Sequence, residues 1–394
     1  MNPLDLCAAL EGGSYLAQVL LMLEGAQIKH KLVRDDEQGA SYLHLHTSWG
    51  ARLRLTYTRG TAQGVRGAWA AQIKASAEAE PQPLGLLDAA HLIASQAVRA
   101  VLHGEEQWRE LVRRAMFDGE AREDRTGVGT GSIFGARMAF DLRHGFPAFT
   151  SKALFWRGVV EELAWFLRGS TDVRELQARG VHIWDDNAAV RPDHNLGPIY
   201  GEQWRSWSDH GDVCDQIAAL VHGLLTDPTS RRHVVSAWNV SDLGQMALAP
   251  CHVLFQAHSH EPEAPNAPRG LSLQVYQRSA DLFLGVPFNV ASYALLLALL
   301  ARWTGHTPRE LVWVGGDVHL YRSHFQAACE MLARPPRPLP SLALDAPLLR
   351  APDVAPHMRR AFNVPASNLF DLSPETARLV SYDPWPAIKA PMAV

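Results

Sequence analysis

The sequence predicts an α+β protein built from a small N-terminal α+β module and a larger second domain. Segments with the 3.6-residue spacing of helices are mixed with alternating segments typical of strands, and they do not follow the strict order of βαβ units. A polar break that contains proline, SAEAEPQP, separates two stretches of different texture. We place the domains at 1–104 and 105–394, which agrees with a chain too long for one typical domain.

The N-terminal module contains the pattern of a β-hairpin between two helical patterns. The stretch LDLCAALEGGSYLAQVLLMLEG has helical spacing. The following SYLHLHTSWGARLRLTYTRG alternates strictly, and Leu43 and Leu45 are matched by Leu53 and Leu55 after a turn at Gly50. Beyond the polar break, LGLLDAAHLIASQAVRAVLHGEE predicts a connecting helix. This module carries no catalytic motif, so the sequence does not assign its role.

The larger domain mixes amphipathic helices, strands and one strongly apolar helix. EEQWRELVRRAMFDGEA and RGVVEELAWFLRG have amphipathic helical patterns, whereas LSLQVYQRSADLFLGVPF is rich in strand-forming residues. NVASYALLLALLARWTG is apolar on almost every side, which predicts a buried helix too short to span a membrane. We expect GGDVHLYRSH to follow a strand at ELVWVG, and the proline-rich ARPPRPLPSLALDAPLLRAP to cross the surface.

Composition and charge exclude several classes of protein. Apolar residues make up 47% and charged residues 20%, as in ordinary globular proteins. The net charge of -4 argues against a nucleic-acid-binding protein, and the N-terminus lacks the positive start of a signal peptide. The four cysteines lie far apart without a C-x-x-C pair, which predicts a reducing, cytoplasmic location and no metal site.

Cys251 lies in the unusual context MALAPCHVLFQ, directly after a proline and before a histidine. A thiol reacts as the thiolate, so a nucleophilic cysteine needs nearby cations or hydrogen-bond donors. His252 follows on a predicted strand and points the opposite way, so we expect arginines to supply the charge. On these residues alone, Cys251 is either a nucleophile or a buried packing residue.

Four arginines stand in motifs that suit phosphate binding. Arg125 precedes a glycine-rich run in DRTGVGTGSIFG, Arg231 and Arg232 precede a strand in SRRHVVSAWN, and Arg278 stands beside Ser279 in YQRSAD. Several arginines are needed to hold a dianionic phosphate monoester. The glycine run alone matches neither a P-loop nor a dinucleotide fingerprint, and each arginine is also compatible with a surface salt bridge.

Polar residues within apolar stretches are further candidates. Asn289, in GVPFNVASY, is compatible with a helix N-cap or with reading the edge of a base. Glu162, in VVEELAWF, either faces water or is buried with a raised pKa. Asp281, His319 and Tyr321 are polar groups of the same kind beside apolar strands.

The combination and order of these motifs resemble folate-dependent thymidylate synthases that use a cysteine nucleophile. The resemblance covers about residues 107–394 and leaves out the N-terminal module. It is carried by the following motifs, in order: DRTG, EELAWF, IWDDN, LGPIYGEQWR, SRR, ALAPCH, YQRSADLFLGVPFN, GGDVHLY and the terminal IKAPMAV. It implies a thymidylate synthase-like mixed sheet with packed helices.

The resemblance implies reductive methylation of dUMP to dTMP, with 5,10-methylenetetrahydrofolate as the donor of both carbon and hydride. It also implies a homodimer in which Arg231 and Arg232 reach the partner's site. Two alternatives are a hydroxymethylase acting on dUMP or dCMP, and a non-catalytic nucleotide- or RNA-binding regulator. Asn289 favours uracil, because an aspartate there would suit cytosine.

The resemblance also implies a role for each matched residue. Catalytic roles fall to Cys251, Glu162, Tyr200, Arg278 and Asn289. Nucleotide contacts fall to Arg125, Arg231, Arg232, Arg278, Ser279, Asp281, Asn289, His319 and Tyr321. Folate contacts fall to Trp184, Leu248, Asp281, Gly285, Phe288 and Val394.

Overall fold

The structure is a computed structural model that describes part of the chain. It gives the backbone of five strands within 30–84 and then covers 104–123, 127–189, 191–209, 212–347, 349 and 372–392. The chain divides into two units, 1–103 and 104–394.

The N-terminal unit contains a five-stranded antiparallel sheet in the order β1-β2-β3-β4-β5. The strands are β1 (His30–Asp35), β2 (Ala40–His46), β3 (Arg52–Thr58), β4 (Ala68–Lys74) and β5 (Gln82–Leu84). The predicted hairpin is confirmed, since Leu43 pairs with Leu55 and Leu45 with Leu53. The first helix predicted for this unit, and residues 85–103 of the second, lie outside the described residues, whereas Leu84 belongs to β5 rather than to a helix.

The predicted polar break is wrong at its end, because Gln82 and Pro83 belong to β5 and pair with β4. In this sheet β5 is an edge strand, where the missing N–H of a proline is tolerated.

The second unit is built on a mixed six-stranded sheet in the order β10-β11-β12-β13-β7-β6. Neighbouring strands are antiparallel except β12 and β13, which are parallel. These strands are β6 (Glu120–Arg122), β7 (Thr130–Asp141), β10 (Val234–Ser236), β11 (His252–Ser259), β12 (Gly270–Asp281) and β13 (Thr307–Tyr321). The predicted α+β class with a mixed sheet is therefore confirmed.

Two small antiparallel pairs complete the strands of this unit. They are β8 (Trp207–Asp209) with β9 (Asp212–Cys214), and β14 (Ser341–Leu344) with β15 (Ala377–Val380). Within the proline-rich segment that was predicted to cross the surface, SLAL forms β14 and pairs along its whole length, which the prediction did not include.

Eight helices lie in the described part of the second unit. They are α1 (Gly104–Phe117), α2 (Trp156–Leu167), α3 (Arg174–Gln177), α4 (Asp185–Ala188), α5 (Tyr200–Ser206), α6 (Gln216–Thr226), α7 (Gly285–Thr304) and α8 (Phe325–Ala333). The amphipathic helices predicted from EEQWRELVRRAMFDGEA and RGVVEELAWFLRG are α1 and α2, but α1 ends at Phe117, and Glu120 and Ala121 belong to β6.

Helix α7 connects the two parallel strands. A parallel pair needs a long crossover, and α7 supplies it between β12 and β13. With 20 residues and a mean hydropathy of 1.4 over its most apolar window, it is long and apolar enough to cross a membrane, contrary to the expectation from its sequence. However, 83% of that window is buried inside the protein, so the prediction of a buried core helix is confirmed.

Strand β13 runs without interruption through GGDVHLY, so the prediction that this motif follows the strand is wrong. Gly316 permits this close packing. A Cβ at this position would lie 2.8 Å from the Tyr276 hydroxyl oxygen and 3.0 Å from the Arg278 carbonyl oxygen. The end of β13 is thereby held directly beside the end of β12.

A large aromatic core packs between this sheet and its helices. Trp108 stacks on Phe149 with ring centroids 4.9 Å apart, and its indole N–H donates to the Leu282 carbonyl at 2.6 Å. The largest fully buried side chains are Trp108, Trp165, Trp204, Trp303, Trp313, Phe149, Phe166, Phe255 and Phe283. Burying such side chains stabilises the fold by roughly 1.5–3 kcal/mol each.

Candidate active site

A cavity of about 540 Å³ lies where α2, α5 and the start of α7 meet the ends of β12 and β13. This volume is in the range of small-molecule sites. Twelve of the residues singled out from the sequence line it: Glu162, Trp184, Tyr200, Leu248, Cys251, Arg278, Ser279, Asp281, Gly285, Asn289, His319 and Tyr321.

Cys251 lies in the loop just before β11 and is fixed by its own backbone. Its amide donates to the Tyr200 hydroxyl oxygen at 2.8 Å, and its carbonyl accepts from the Arg278 amide at 2.9 Å. Tyr200 is buried, with its ring 4.9 Å from that of Phe166. The position of the thiol is therefore set by α5 on one side and β12 on the other.

Opposing influences act on the Cys251 thiol. Burial raises its pKa above the ordinary value of 9.0, whereas the Arg278 charge and a hydrogen bond with Tyr200 lower it. Burial prevails, so the thiol is mostly protonated at neutral pH and must give up its proton as it reacts. The arginine expected from the sequence is present and acts in the expected direction, but its charge does not by itself produce the thiolate.

Arg278 holds the loop that leads to the cysteine. Its Nε donates to the Pro250 carbonyl at 2.9 Å, and its Nη2 donates to the Ala249 carbonyl at 2.8 Å. The guanidinium also lies 5.5 Å from the ring centroid of Trp238. Since a guanidinium has five N–H donors, the remaining ones can serve an anion in the cavity.

Glu162 is buried in α2, so the alternative that Glu161 and Glu162 face water is wrong: each is only 5% exposed. Glu161 points out of the cavity to an ion pair with Arg179 at 3.0 Å. Glu162 lines the cavity and accepts from the Trp184 indole at 2.8 Å. Burial raises the pKa of Glu162 to about 7, although the hydrogen bond from Trp184 opposes the shift.

The amide of Asn289 is held in one orientation. Helix α7 begins at Gly285 after Leu284 as its N-cap, so the N-cap interpretation of Asn289 is wrong. Trp313 donates to Gln277 Oε1 at 2.9 Å, and Gln277 Nε2 donates to Asn289 Oδ1 at 3.0 Å. Because an indole can only donate, it fixes the Gln277 amide and, through it, the Asn289 amide.

His252 is a neutral neighbour of this amide. Burial lowers the pKa of His252 to about 4, although a hydrogen bond with Asn289 acts in the opposite direction. Its ring lies 5.1 Å from that of Tyr200. A neutral imidazole at this place can exchange hydrogen bonds with the cavity but does not add charge to it.

The carboxylate of Asp281 lies at another wall of the cavity. Its Oδ1 accepts from the Phe283 amide at 2.9 Å, and the Nδ1 of the buried His324 lies 3.7 Å away. Lys152 lies with its Nζ 4.5 Å from the Phe283 ring centroid. Burial lowers the pKa of Lys152 to about 8, and the charge of Asp281 counteracts part of that shift.

His319 and Tyr321 lie side by side at the end of β13, with ring centroids 5.1 Å apart. Asp317, two residues earlier, lies 3.2 Å from His319 Nδ1. The same carboxylate accepts from the Ser132 hydroxyl at 2.8 Å and from Arg122 at 2.8 Å. With Nδ1–H directed to Asp317, the neutral imidazole of His319, a residue that lines the cavity, keeps Nε2 as an acceptor.

Several residues singled out from the sequence are not brought to this cavity. Arg231 and Arg232 are exposed and do not line it, although they precede β10 as predicted. Phe288 is partly buried against the core and is not among the lining residues. Arg125 and Val394 lie outside the described residues.

Sequence reasoning missed other lining residues. They are Arg122, Glu123, Thr130, Gln277 and Asp317; His252, which was expected to point away from Cys251, also lines the cavity. Strand alternation contained a usable signal for Asp317 and Gln277, because each lies two residues before a singled-out residue, His319 and Ser279, on the same strand face. Across the described ranges, no group of three or more His, Cys, Asp and Glu side chains could hold a metal ion.

Comparison with models of known families matches residues 106–394 to thymidylate synthase. The chain belongs to the thymidylate synthase family. This membership supports a methyltransferase-type enzyme of nucleotide biosynthesis with a folate co-substrate; methylation of dUMP is the general activity of the family. The family also includes related nucleotide hydroxymethylases, and the N-terminal unit lies outside the match.

Proposed function

We propose that this enzyme converts dUMP to dTMP, with 5,10-methylenetetrahydrofolate giving dihydrofolate. The observation that carries the proposal is the Asn289 amide in the cavity that also holds the Cys251 thiol. An amide offers a donor for uracil O4 and an acceptor for uracil N3–H. A hydroxymethylase acting on cytosine would need an acceptor for the amino group, which a carboxylate supplies better than this fixed amide.

Cys251 is the proposed nucleophile that adds to C6 of the pyrimidine. The new S–C6 bond shifts the electrons of the C5–C6 double bond toward C5 and O4. Arg278 supports this step in two ways: its charge stabilises the developing thiolate, and its two bonds to the preceding carbonyls hold the loop of Cys251. Tyr200, bonded to the Cys251 amide, is the proposed carrier of the C5 proton.

Glu162 is the proposed organiser of proton transfer near O4. With a pKa of about 7, it is present in both protonated and ionised forms at neutral pH. A group with that pKa can both give a proton to a developing enolate oxygen and take it back. Trp184 fixes one carboxylate oxygen, so only the other is available to the substrate side.

The cavity has the features that a flat pterin ring requires. A Cβ at Gly285 would lie 3.5 Å from Asn289 Oδ1 and 3.7 Å from the Asp281 Cβ, so the glycine keeps this space open. Asp281 can accept from ring N–H groups, while Trp184 and Leu248 provide apolar surface. The bound folate would supply the carbon unit and the hydride.

We further propose a cytoplasmic homodimer in which Arg231 and Arg232 complete the partner's phosphate site. Both are exposed and absent from their own chain's cavity, which supports this arrangement. The test mixes an Arg232→Ala variant with a Cys251→Ser variant after unfolding and refolding. Each heterodimer then has one intact site if the arginine crosses over, so activity should return. No recovery, with heterodimers confirmed, would show that each site is built within one chain.

The decisive test of the reaction is a product analysis with dUMP and methylenetetrahydrofolate. Chromatography separates dTMP from 5-hydroxymethyl-dUMP, and absorbance follows dihydrofolate. We expect one dihydrofolate for each dTMP, because the hydride comes from the folate. Formation of hydroxymethyl-dUMP with tetrahydrofolate would identify a hydroxymethylase, and absence of any product would support a binding protein. Cys329→Ser, at an exposed cysteine on α8, is the matched control for thiol substitution.

A further inference from the structure

The C-terminal stretch 383–392 is bound firmly at its first part. The Trp385 amide donates to the Thr150 carbonyl at 2.8 Å, and its indole donates to the Pro335 carbonyl at 2.8 Å. Arg334 donates to the Pro386 carbonyl at 2.6 Å. Among the described residues, the hydrogen bond that holds the chain beyond Pro386 comes from His324.

His324 connects this stretch to the wall of the cavity. Its Nε2 donates to the Pro391 carbonyl at 2.7 Å, and its Nδ1 faces Asp281 Oδ1 at 3.7 Å. The side chain is completely buried although Pro391 itself is exposed, and Nδ1 has no hydrogen-bond partner within the described part of the chain. The ring centroids of Phe283 and Tyr321 each lie 5.5 Å from that of His324.

The state of one proton decides whether both of these contacts are favourable. The Pro391 carbonyl can only accept, so Nε2 must carry a hydrogen to bind it. In neutral His324 the other nitrogen, Nδ1, is then a bare acceptor that faces a carboxylate. In protonated His324 both nitrogens donate, and the ring is attracted to Asp281 and to Pro391 together.

We propose that His324 is a positioning residue that docks the segment 387–392 beside Asp281 and couples this docking to its own protonation. The effect on folate rests on the proposed function, because it is Asp281 that would contact the pterin. The docking itself does not depend on which reaction the enzyme catalyses.

Taken together, the groups around His324 shift its pKa in the direction that this coupling requires. Burial lowers the pKa of His324, but Asp281 and the Pro391 carbonyl more than offset it, so the pKa lies above the ordinary 6.5. The charge of Lys152 opposes that rise. Protonated His324 therefore predominates below pH 6.5, and the stabilisation it provides is lost as pH increases through the raised pKa.

Hydrogen exchange of the C-terminal peptide 386–394 in the free full-length enzyme tests the docking. Protection, corrected for the intrinsic rate at each pH, should decrease in the wild type as pH rises from 6 to 8. In His324→Gln the protection should be independent of pH, because the amide retains one donor but cannot gain a charge. In His324→Phe, which keeps aromatic packing but has no polar atom, exchange should accelerate by about tenfold at pH 6.

Two further measurements separate positioning from a merely structural role. In Lys152→Met, the loss of C-terminal protection should occur at higher pH than in the wild type, because this variant removes the charge that lowers the pKa of His324. His324→Phe should raise KM for methylenetetrahydrofolate more than it lowers kcat, and His324→Gln should restore part of this loss at pH 7.5. Wild-type protection that does not change with pH would overturn the proposal even if no variant folds. So would pH profiles that coincide in the wild type and His324→Gln.

Discussion

The buried part of the cavity, called the floor, and its partly exposed edge, called the rim, hold their polar groups by different means. At the floor, burial raises the pKa of Glu162 to about 7 and lowers that of His252 to about 4, so burial shifts both side chains toward their neutral forms. At the rim, the Asp317 side chain is 36% exposed and forms an ion pair with Arg122, itself 52% exposed. The floor is therefore arranged for proton transfer and the rim for orientation.

The largest effect is expected at the floor, from Cys251→Ser. A hydroxyl is a far weaker nucleophile than a thiol at neutral pH, so turnover should decrease by about 10⁴-fold or more. Binding of dUMP should change little, because the phosphate and base contacts remain. Single-turnover product formation and equilibrium binding measure the two effects, with Cys329→Ser as the control. Near-normal turnover would show that the floor does not supply a nucleophile.

Asn289→Asp should reverse part of the base preference, again through the floor. Gln277 donates to Asn289 Oδ1, and a carboxylate accepts this bond equally well, so the scaffold should survive. The ratio of kcat/KM for dUMP to that for dCMP should shift by about 10³-fold toward dCMP. Asn195→Asp is the control, because Asn195 lies outside the cavity and its Oδ1 also accepts a hydrogen bond, from the Gly197 amide at 2.8 Å. An unchanged ratio would mean that Asn289 does not read the base.

Glu162→Gln should lower kcat/KM by about 10²-fold and remove its titration near pH 7. The same raised pKa affects stability. Between pH 4.5 and about 7 the carboxyl is ionised in the unfolded chain but not in the folded one, so the free energy of unfolding decreases as pH increases, by about 3 kcal/mol in total. Denaturant unfolding of the variant should lack this decrease.

The matched control for this prediction is Glu161→Gln on the same helix. Glu161 is equally buried but pairs with Arg179 outside the cavity. The Glu161→Gln variant should therefore keep the titration near pH 7 in its kcat/KM profile. If both variants show the same pH profile, the titrating group lies elsewhere.

The smallest effect is expected at the rim, from Asp317→Asn. The amide should weaken the orientation of His319 and raise KM for dUMP by about tenfold, with kcat nearly unchanged. Because the ion pair between Asp317 and Arg122 is exposed, its contribution to dUMP binding in the wild type should also decrease as the salt concentration increases. Asp141→Asn, at a carboxylate paired with Arg143 and outside the cavity, is the control. A loss in kcat comparable to that of Glu162→Gln would contradict the distinction between floor and rim.

Local patterns were sufficient for the elements with strong periodicity. The amphipathic spacing of α1 and α2, the apolar sequence of α7 and the alternation of β2 and β3 each specify an element through short-range side-chain positions. The missed pairings of β5 and β14 are short strands whose partners are set by register with other segments. Such pairing is not encoded in the strand's own few residues.

By itself the sequence determined the residue types and motif order from which the family and most of the cavity lining were predicted. Only the tertiary structure decided that Glu162 is buried rather than facing water, and that Asn289 lies inside α7 with Gln277 holding its amide. It also decided that His324 joins Pro391 to Asp281. The physical reason is that pKa values and hydrogen-bond orientation depend on desolvation and on partners that are distant along the chain, which residue spacing does not express.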